Sequence, residues 1–283
     1  MDACRGLRPI VPVVVAACGV AAAAGQTITY LTPAKYAATV GERVAVFSDV
    51  REGDVIRRTP WPTQTIDWLF VRAPGTQENR ENVGPADPKE DFVSVTLAKP
   101  GVTMIALDTK PVVTIVSGKQ FKAFAKRTAT GRLYEDAIAA IADEDRVRMR
   151  RIESAKTLVR VLDPDGKPMS HSAVAQSKTG QAVEIRALAD PTMVAVGSDL
   201  PVRAYVGADA RPGVKMLATC VATGKTQEAL TDPTGSCHFR ISDAGVWRVE
   251  FHYAEPLEND PNADWVVYSA TLTFETTKTG AGK

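Results

Sequence analysis

Along this chain, apolar and β-branched residues alternate with polar ones in short runs, each ended by a cluster of Gly, Pro, Asp or Asn. A two-residue period belongs to a strand with one buried face. The first series of runs occupies 44–47, 66–71, 92–98, 103–107 and 112–117, and the second 183–188, 200–206, 214–222, 237–241, 246–253 and 265–275. Many short strands with frequent turn signals predict a mainly β protein of the sandwich type, not βαβ units. Between the two series the period changes. Residues 120–158 contain almost no Gly or Pro, and Leu133, Ala137, Ile138 and Ile141 fall on one helical face while Met149, Ile152, Ala155 and Val159 fall on another. This spacing predicts two amphipathic helices packed on a sheet or on each other.

The two strand series read as copies of one plan. Val40-Gly41-Glu42-Arg43-Val44 aligns with Val196-Gly197-Ser198-Asp199-Leu200, and Val95-x-Leu97-x-x-x-Gly101-Val102 aligns with Phe239-x-Ile241-x-x-x-Gly245-Val246, in the same order. The expectation is two Ig-like or CNA-B-like β-sandwich domains of related topology with a short helical segment between them, although glycine–strand patterns are common enough for convergence to give the same match. The corresponding boundaries are a signal peptide at 1–24, an N-terminal sandwich at 25–118, and a helical segment packed on it at 119–160. A linker at 161–182, a C-terminal sandwich at 183–276 and a tail at 277–283 complete the chain.

The amino-terminal stretch assigns a compartment. Arg5 and Arg8 precede the uncharged run 9–25, which is rich in Val and Ala, and Ala22 and Ala24 supply a small-residue cleavage site. That is the layout of a secretory leader, slightly too short to span a bilayer. Val15-Ala16-Ala17-Cys18 also resembles a lipobox, so Cys18 is either a lipidation site or a small residue of the leader. A periplasmic or extracellular location follows, with membrane contact only through lipidation. With 34 basic and 33 acidic residues the chain has no basic stripe, which excludes the usual footprint of a nucleic-acid binder. Beyond the leader the cysteines are Cys220 and Cys237, both on the inward register of alternating segments. An oxidising compartment permits a bridge between them, the alternative being two small buried thiols.

Candidate chemistry is sparse. The chain has no G-x-S-x-G and no H-E-x-x-H, and Gly224-Lys225-Thr226 has Thr219 where a phosphate-binding loop needs its first glycine. Asp163-Pro164-Asp165-Gly166 lacks the ligand pattern of a calcium loop. No residue set points to an enzyme. Of the histidines, His171 lies in the linker and His238 is expected to face outward. His252 ends a strand beside the acidic loop 255–264, where Glu255, Glu258, Asp260 or Asp264 would complete a transition-metal site; the plainer reading is a structural histidine beside a solvated loop.

Several segments in order resemble the DUF4198 family of exported bacterial proteins, which includes NikM-type periplasmic components of nickel and cobalt uptake. They include Thr39-Val40-Gly41-Glu42-Arg43-Val44, Phe121-Lys122-Ala123-Phe124, Ala155-Lys156-Thr157-Leu158, Thr231-Asp232-Pro233-Thr234-Gly235, Gly245-Val246-Trp247 and Asp264-Trp265. The resemblance implies an accessory protein that presents a divalent metal, nickel or cobalt, to a membrane transporter or another envelope protein through His252, Glu255 and Asp264. It also marks a departure: the family's histidine near the start of the mature chain has no counterpart in Gln26-Thr27-Ile28-Thr29-Tyr30. The alternative is a metal-independent interaction or adhesion module of the cell envelope.

Overall fold

The computed structural model describes residues 27–276 except 77, 81–83, 88, 170 and 171, so the expected leader at 1–24, Cys18, His171 and the tail lie outside the described residues. In chain order the strands are β1 (Thr27–Pro33), β2 (Ala37–Thr39), β3 (Arg43–Glu52), β4 (Val55–Thr59), β5 (Ile66–Arg72), β6 (Glu78–Arg80), β7 (Phe92–Thr96), β8 (Gly101–Thr109) and β9 (Val112–Ser117). Helices α1 (Gly118–Arg127), α2 (Thr130–Leu133) and α3 (Glu135–Ala139) follow, then β10 (Arg146–Leu162) and a short 3-10 turn at Ala173–Gln176. The second series is β11 (Val183–Ala187), β12 (Asp199–Val206), β13 (Asp209–Ala210), β14 (Lys215–Cys220), β15 (Thr226–Leu230), β16 (Ser236–Arg240), β17 (Gly245–Pro256) and β18 (Trp265–Thr276). None of the described helices is long and apolar enough to cross a membrane.

The fold is mainly β, as the alternation predicts, and it is built in three layers. A long sheet runs β15-β14-β17-β18-β10-β8-β5-β6, with β2 and β9 also paired to β10. One of its faces carries Ile105, Leu107, Ala155, Val159 and Val161, and packs on Leu31, Val44, Val46 and Val95 of the small sheet formed by β1, β3, β4 and β7. The other face carries Met104, Leu158, Val249, Phe251 and Phe274. It packs on Val183, Ile185, Val202 and Phe239 of a second small sheet, formed by β11, β12, β13 and β16. Each small sheet thus makes a sandwich with part of the long one.

The duplication extends to individual hydrogen bonds. Val44 pairs with Val95 across β3 and β7, and Leu200 with Phe239 across β12 and β16. The Gly41 N–H donates to the Leu97 carbonyl at 2.7 Å, and the Gly197 N–H to that of Ile241 at 2.7 Å. Leu97 and Ile241 in turn donate to Glu42 and Ser198, both at 2.9 Å. Gly41 and Gly197 have φ of 86° and 88°, a left-handed conformation that favours glycine, which explains their recurrence in the sequence. The two half-sheets meet in the parallel pair β10–β18, with 149–157 beside 265–273. Halves related through parallel strands share a two-fold axis lying along those strands, so the second copy presents its small sheet to the opposite face.

The expectation of a helical segment over 119–160 is corrected. Helical structure ends at Ala139, and Met149, Ile152, Ala155 and Val159 belong to β10. A strand covered on both faces needs no alternation, and its apolar residues then fall at spacings that imitate a helix. In β10, Ala155 and Val159 face one small sheet while Leu158 faces the other. The N-terminal module consequently runs to Leu162, and one continuous sheet joins it to the C-terminal module.

Helix α1 lies ahead of the two faces from which helices were read, the first of which, Leu133 to Ile141, falls mainly on the short helices α2 and α3. Ser117 caps α1, accepting from the Gln120 N–H at 3.2 Å while the Gln120 side chain accepts from the Ser117 N–H at 2.9 Å, and Lys126 and Arg127 complement its C-terminal dipole. Its buried face, Phe121, Phe124 and Ala125, packs on Ala254, Trp265 and Val267 at the end of the long sheet.

Candidate functional site

Alternation along β17 sends Trp247, Val249, Phe251 and Tyr253 into the C-terminal core and turns Arg248, Glu250 and His252 to the opposite face, beneath β1 and β3. There Glu250 accepts hydrogen bonds from the Tyr30 hydroxyl and from Arg51, and Arg248 lies 5.0 Å over the Tyr30 ring. His252 is 6% exposed. Its Nδ1 lies 2.8 Å from the Ser269 hydroxyl, the Phe124 ring meets it edge-on at 6.4 Å, and its Nε2 is buried with no hydrogen-bond partner among the described residues. Burial pushes the imidazole pKa down to about 3, and Arg51, Arg151 and Arg127 push in the same direction. The ring is therefore neutral at physiological pH, but a cation brought to it would face three guanidinium groups.

The other two expected metal ligands lie elsewhere. Glu255 is an odd-numbered position on the same strand as His252, so it points to the other face, where it accepts from the Tyr253 hydroxyl at 3.1 Å with Arg211 4.0 Å away. Asp264 accepts from the Arg148 backbone N–H at 2.7 Å and from its guanidinium at 2.6 Å, which holds its carboxyl below the usual carboxylate range. The expectation that His252, Glu255 and Asp264 share a site is corrected, and the parity of 252 and 255 on one strand already carried that answer. Among the described residues no group of three or more His, Cys, Asp and Glu side chains gathers. His238 is exposed, as its register implied.

The duplication explains what His252 does. Aligning Gly101 with Gly245 places Asp108 of β8 at the position of His252, and the ladders β8–β10 and β17–β18 place Ser154 at that of Ser269. Asp108 accepts from the Ser154 hydroxyl at 2.6 Å, as His252 meets Ser269. Each pair lies on the long sheet beneath the small sheet of the other module. Asp108 also accepts from the Ala182 N–H at 2.9 Å, and burial lifts its pKa to about 6. Next to it Lys156 of β10 donates to Glu184 of β11 at 2.5 Å and to the Ile185 carbonyl at 3.0 Å, with both charged side chains buried. Burial pulls the Lys156 pKa down against the pull of Glu184. Sequence reading missed this pair, because periodicity gives no sign of a buried lysine in a strand covered on both faces.

The expected Cys220–Cys237 bridge is also corrected. Both side chains point into the C-terminal core as predicted, but both thiols are free. Cys220 is on β14 of the long sheet and Cys237 on β16 of the small one. The Cys237 sulfur lies 3.5 Å from that of Met216, four residues before Cys220. Four strand residues are about 13 Å, so register along the strand separates two cysteines that parity brings into one core. Burial pushes the Cys237 thiol up to about 12.

An accessible concavity lies where the long sheet passes out from under α1. Lys122, Ala125 and Lys126 share a face of α1 that Ala129 extends, at the spacing i, i+3, i+4, i+7. Ala129 takes φ 61° and turns the chain into α2, which adds Arg132. Lys215 of β14 and Glu228 and Leu230 of the edge strand β15 form the facing wall, and Ile138 contributes to the floor. The groove has a volume of about 590 Å³. Lys122 is paired with Asp143 at 3.0 Å and Lys215 with Glu228 at 3.2 Å, while Lys126 and Arg132 have no ion partner among the described residues.

Residues 24–255 match the family profile described as "Domain of unknown function (DUF4198)". No curated protein sequence matches the chain. Among solved structures, the D0-D1 domain of Intimin is 15% identical, covering 88% of this chain and 99% of that one with a TM-score of 0.20. Murine CEACAM1b is 9% identical, covering 89% and 100% with a TM-score of 0.19. At these scores neither likeness carries an argument.

Proposed function

This chain belongs to the DUF4198 family of domains of unknown function, and from that premise we propose that it is an exported, non-catalytic binding module of the cell envelope that acts without a metal. The observation that carries this reading is the placement of His252: beneath β1 and α1, ringed by Arg51, Arg127 and Arg151, and separated by the sheet from Glu255. Its equivalence to Asp108 gives the histidine a structural task, hydrogen bonding to the next strand under a covering sheet. The leader at 1–24 supports export. The non-catalytic reading is supported by where the strongly displaced groups lie: Asp108, Lys156, Cys237, His252, Tyr30, Tyr36 and Tyr253 are all buried, and none of them lines the groove.

The rival is the metal-presenting role, with nickel or cobalt bound through His252. Calorimetric titration of the exported chain with Ni(II) and with Co(II), in parallel with His252→Ala, separates the two. The expected result is no stoichiometric binding by either protein. A one-to-one isotherm at micromolar affinity that disappears in the His252→Ala protein would establish the metal role and end this proposal.

A further inference from the structure

We propose that the groove between α1 and strands β14–β15 at the edge of the long sheet is a binding site for an aliphatic anion, a molecule with an acyl-type body and a carboxylate head. The inference rests on the reading of the chain as a binding module and names its ligand class. Its floor and walls between the charges are aliphatic: Ala125, Ala129, Ile138, Ala229 and Leu230. No aromatic side chain lines it, so there is no platform on which a base or another flat ring would stack. A volume of about 590 Å³ is in the range of small-molecule sites.

The charge around that apolar floor is one-sided. Lys122, Lys126, Arg132 and Lys215 line the groove against a single carboxylate, Glu228. Lys122 and Lys215 are already held by acidic partners, which leaves Lys126 and Arg132 as the free donors. Two further observations point to a ligand. Leu230 stays 46% exposed inside a concave surface, an apolar side chain that an acyl body would cover. Ala129 lines the groove in a left-handed conformation unusual for a residue with a Cβ. That strain sits at the corner which sets Arg132 across from Lys126, and backbone strain of this kind gathers at ligand sites.

The test uses the exported chain and dodecanoate, below its micellar concentration, in isothermal titration calorimetry. One dodecanoate is expected per chain. The double variant Lys126→Ala/Arg132→Ala should bind roughly tenfold more weakly, since two charge-assisted contacts are lost. Leu230→Asp, at a position exposed enough not to disturb the core, should weaken it at least as much, with unchanged melting temperatures showing that both variants fold. Dodecyltrimethylammonium, with the same chain and the opposite charge, should bind at least tenfold more weakly than dodecanoate. Absence of dodecanoate binding, equal affinity for the cationic amphiphile, or full affinity in both variants would each overturn the proposal. None of these results alters the nickel and cobalt isotherms, so failure here is distinguishable from failure of the metal-independent reading.

Discussion

Replacing Lys156 by Met removes the cation of a pair that has almost no contact with water, its side chains being 3% and 0% exposed. Met fills nearly the same volume, so the change is electrostatic. Glu184 then keeps one donor, the Thr179 N–H at 2.9 Å to Oε1, while its Oε2 has no partner even in the native protein. Stranding a buried charge costs about 3–5 kcal/mol, a third or more of the stability of a typical domain. Replacing Glu184 by Leu as well removes the stranded charge, and the double variant should lie within about 1 kcal/mol of the parent or above it. Guanidinium unfolding of the parent, both single variants and the double variant at pH 7 gives the coupling energy. A single variant within about 1 kcal/mol of the parent at pH 7, or a double variant as damaged as the single, would refute this account of the pair.

His252 and Asp108 act oppositely on the pH profile. The lowered pKa of His252 gives a contribution complete above the unfolded value near 6.5 and lost as pH falls towards about 3, up to roughly 4–5 kcal/mol. The raised pKa of Asp108 gives one complete below pH ~4 and lost as pH rises through about 6. Melting temperatures of His252→Gln should fall less steeply on acidification than those of the parent, and Asp108→Asn should flatten the limb between pH 4 and 6; parallel profiles in all three proteins would contradict both assignments. Thiol titration of the denatured, unreduced mature chain should find Cys220 and Cys237 free, and reductant should leave the melting temperature unchanged; a blocked pair would restore the bridge that the register along β14 excludes.

Coverage on one face or two explains only part of what was legible in the sequence, since β8, β17 and β18 are buried on both faces and their β-branched and aromatic content still located them. β14, β16 and the first part of β3 and β12 alternate in burial, so the sequence pattern located them and fixed which way Cys220, Cys237 and His238 point. β10 is covered on both sides and read as a helix. β1 was missed for a related reason, because every residue from Ile28 to Leu31 is buried and the segment was read as the start of the chain after a leader. The glycine pattern showed the duplication, since positive φ at Gly41 and Gly197 constrains residue type directly. It did not show that the copies face opposite ways, which depends on the β10–β18 pairing between segments more than a hundred residues apart. The metal site failed on parity, which was available, and on Arg148 claiming Asp264, which was not. The groove was beyond sequence reading because its walls come from α1 and from β14–β15, whose proximity is set by the long sheet.

The parallel pair at the centre of the long sheet also governs what an incomplete chain would look like. On one side of β10, nine residues from Met149 to Thr157 pair with β18, at the end of the described chain, while β9 covers the other side of 149–151. A product truncated before Trp265 keeps the whole first series but leaves that stretch as an open edge, free to pair with the same stretch of another copy. Arg150, Arg151, Glu153 and Lys156 stand along it, and buried or paired as they are in the finished protein, in the fragment they would act as gatekeepers against such association. The last described strand is in this sense the cap on an edge left open by the first half of the chain.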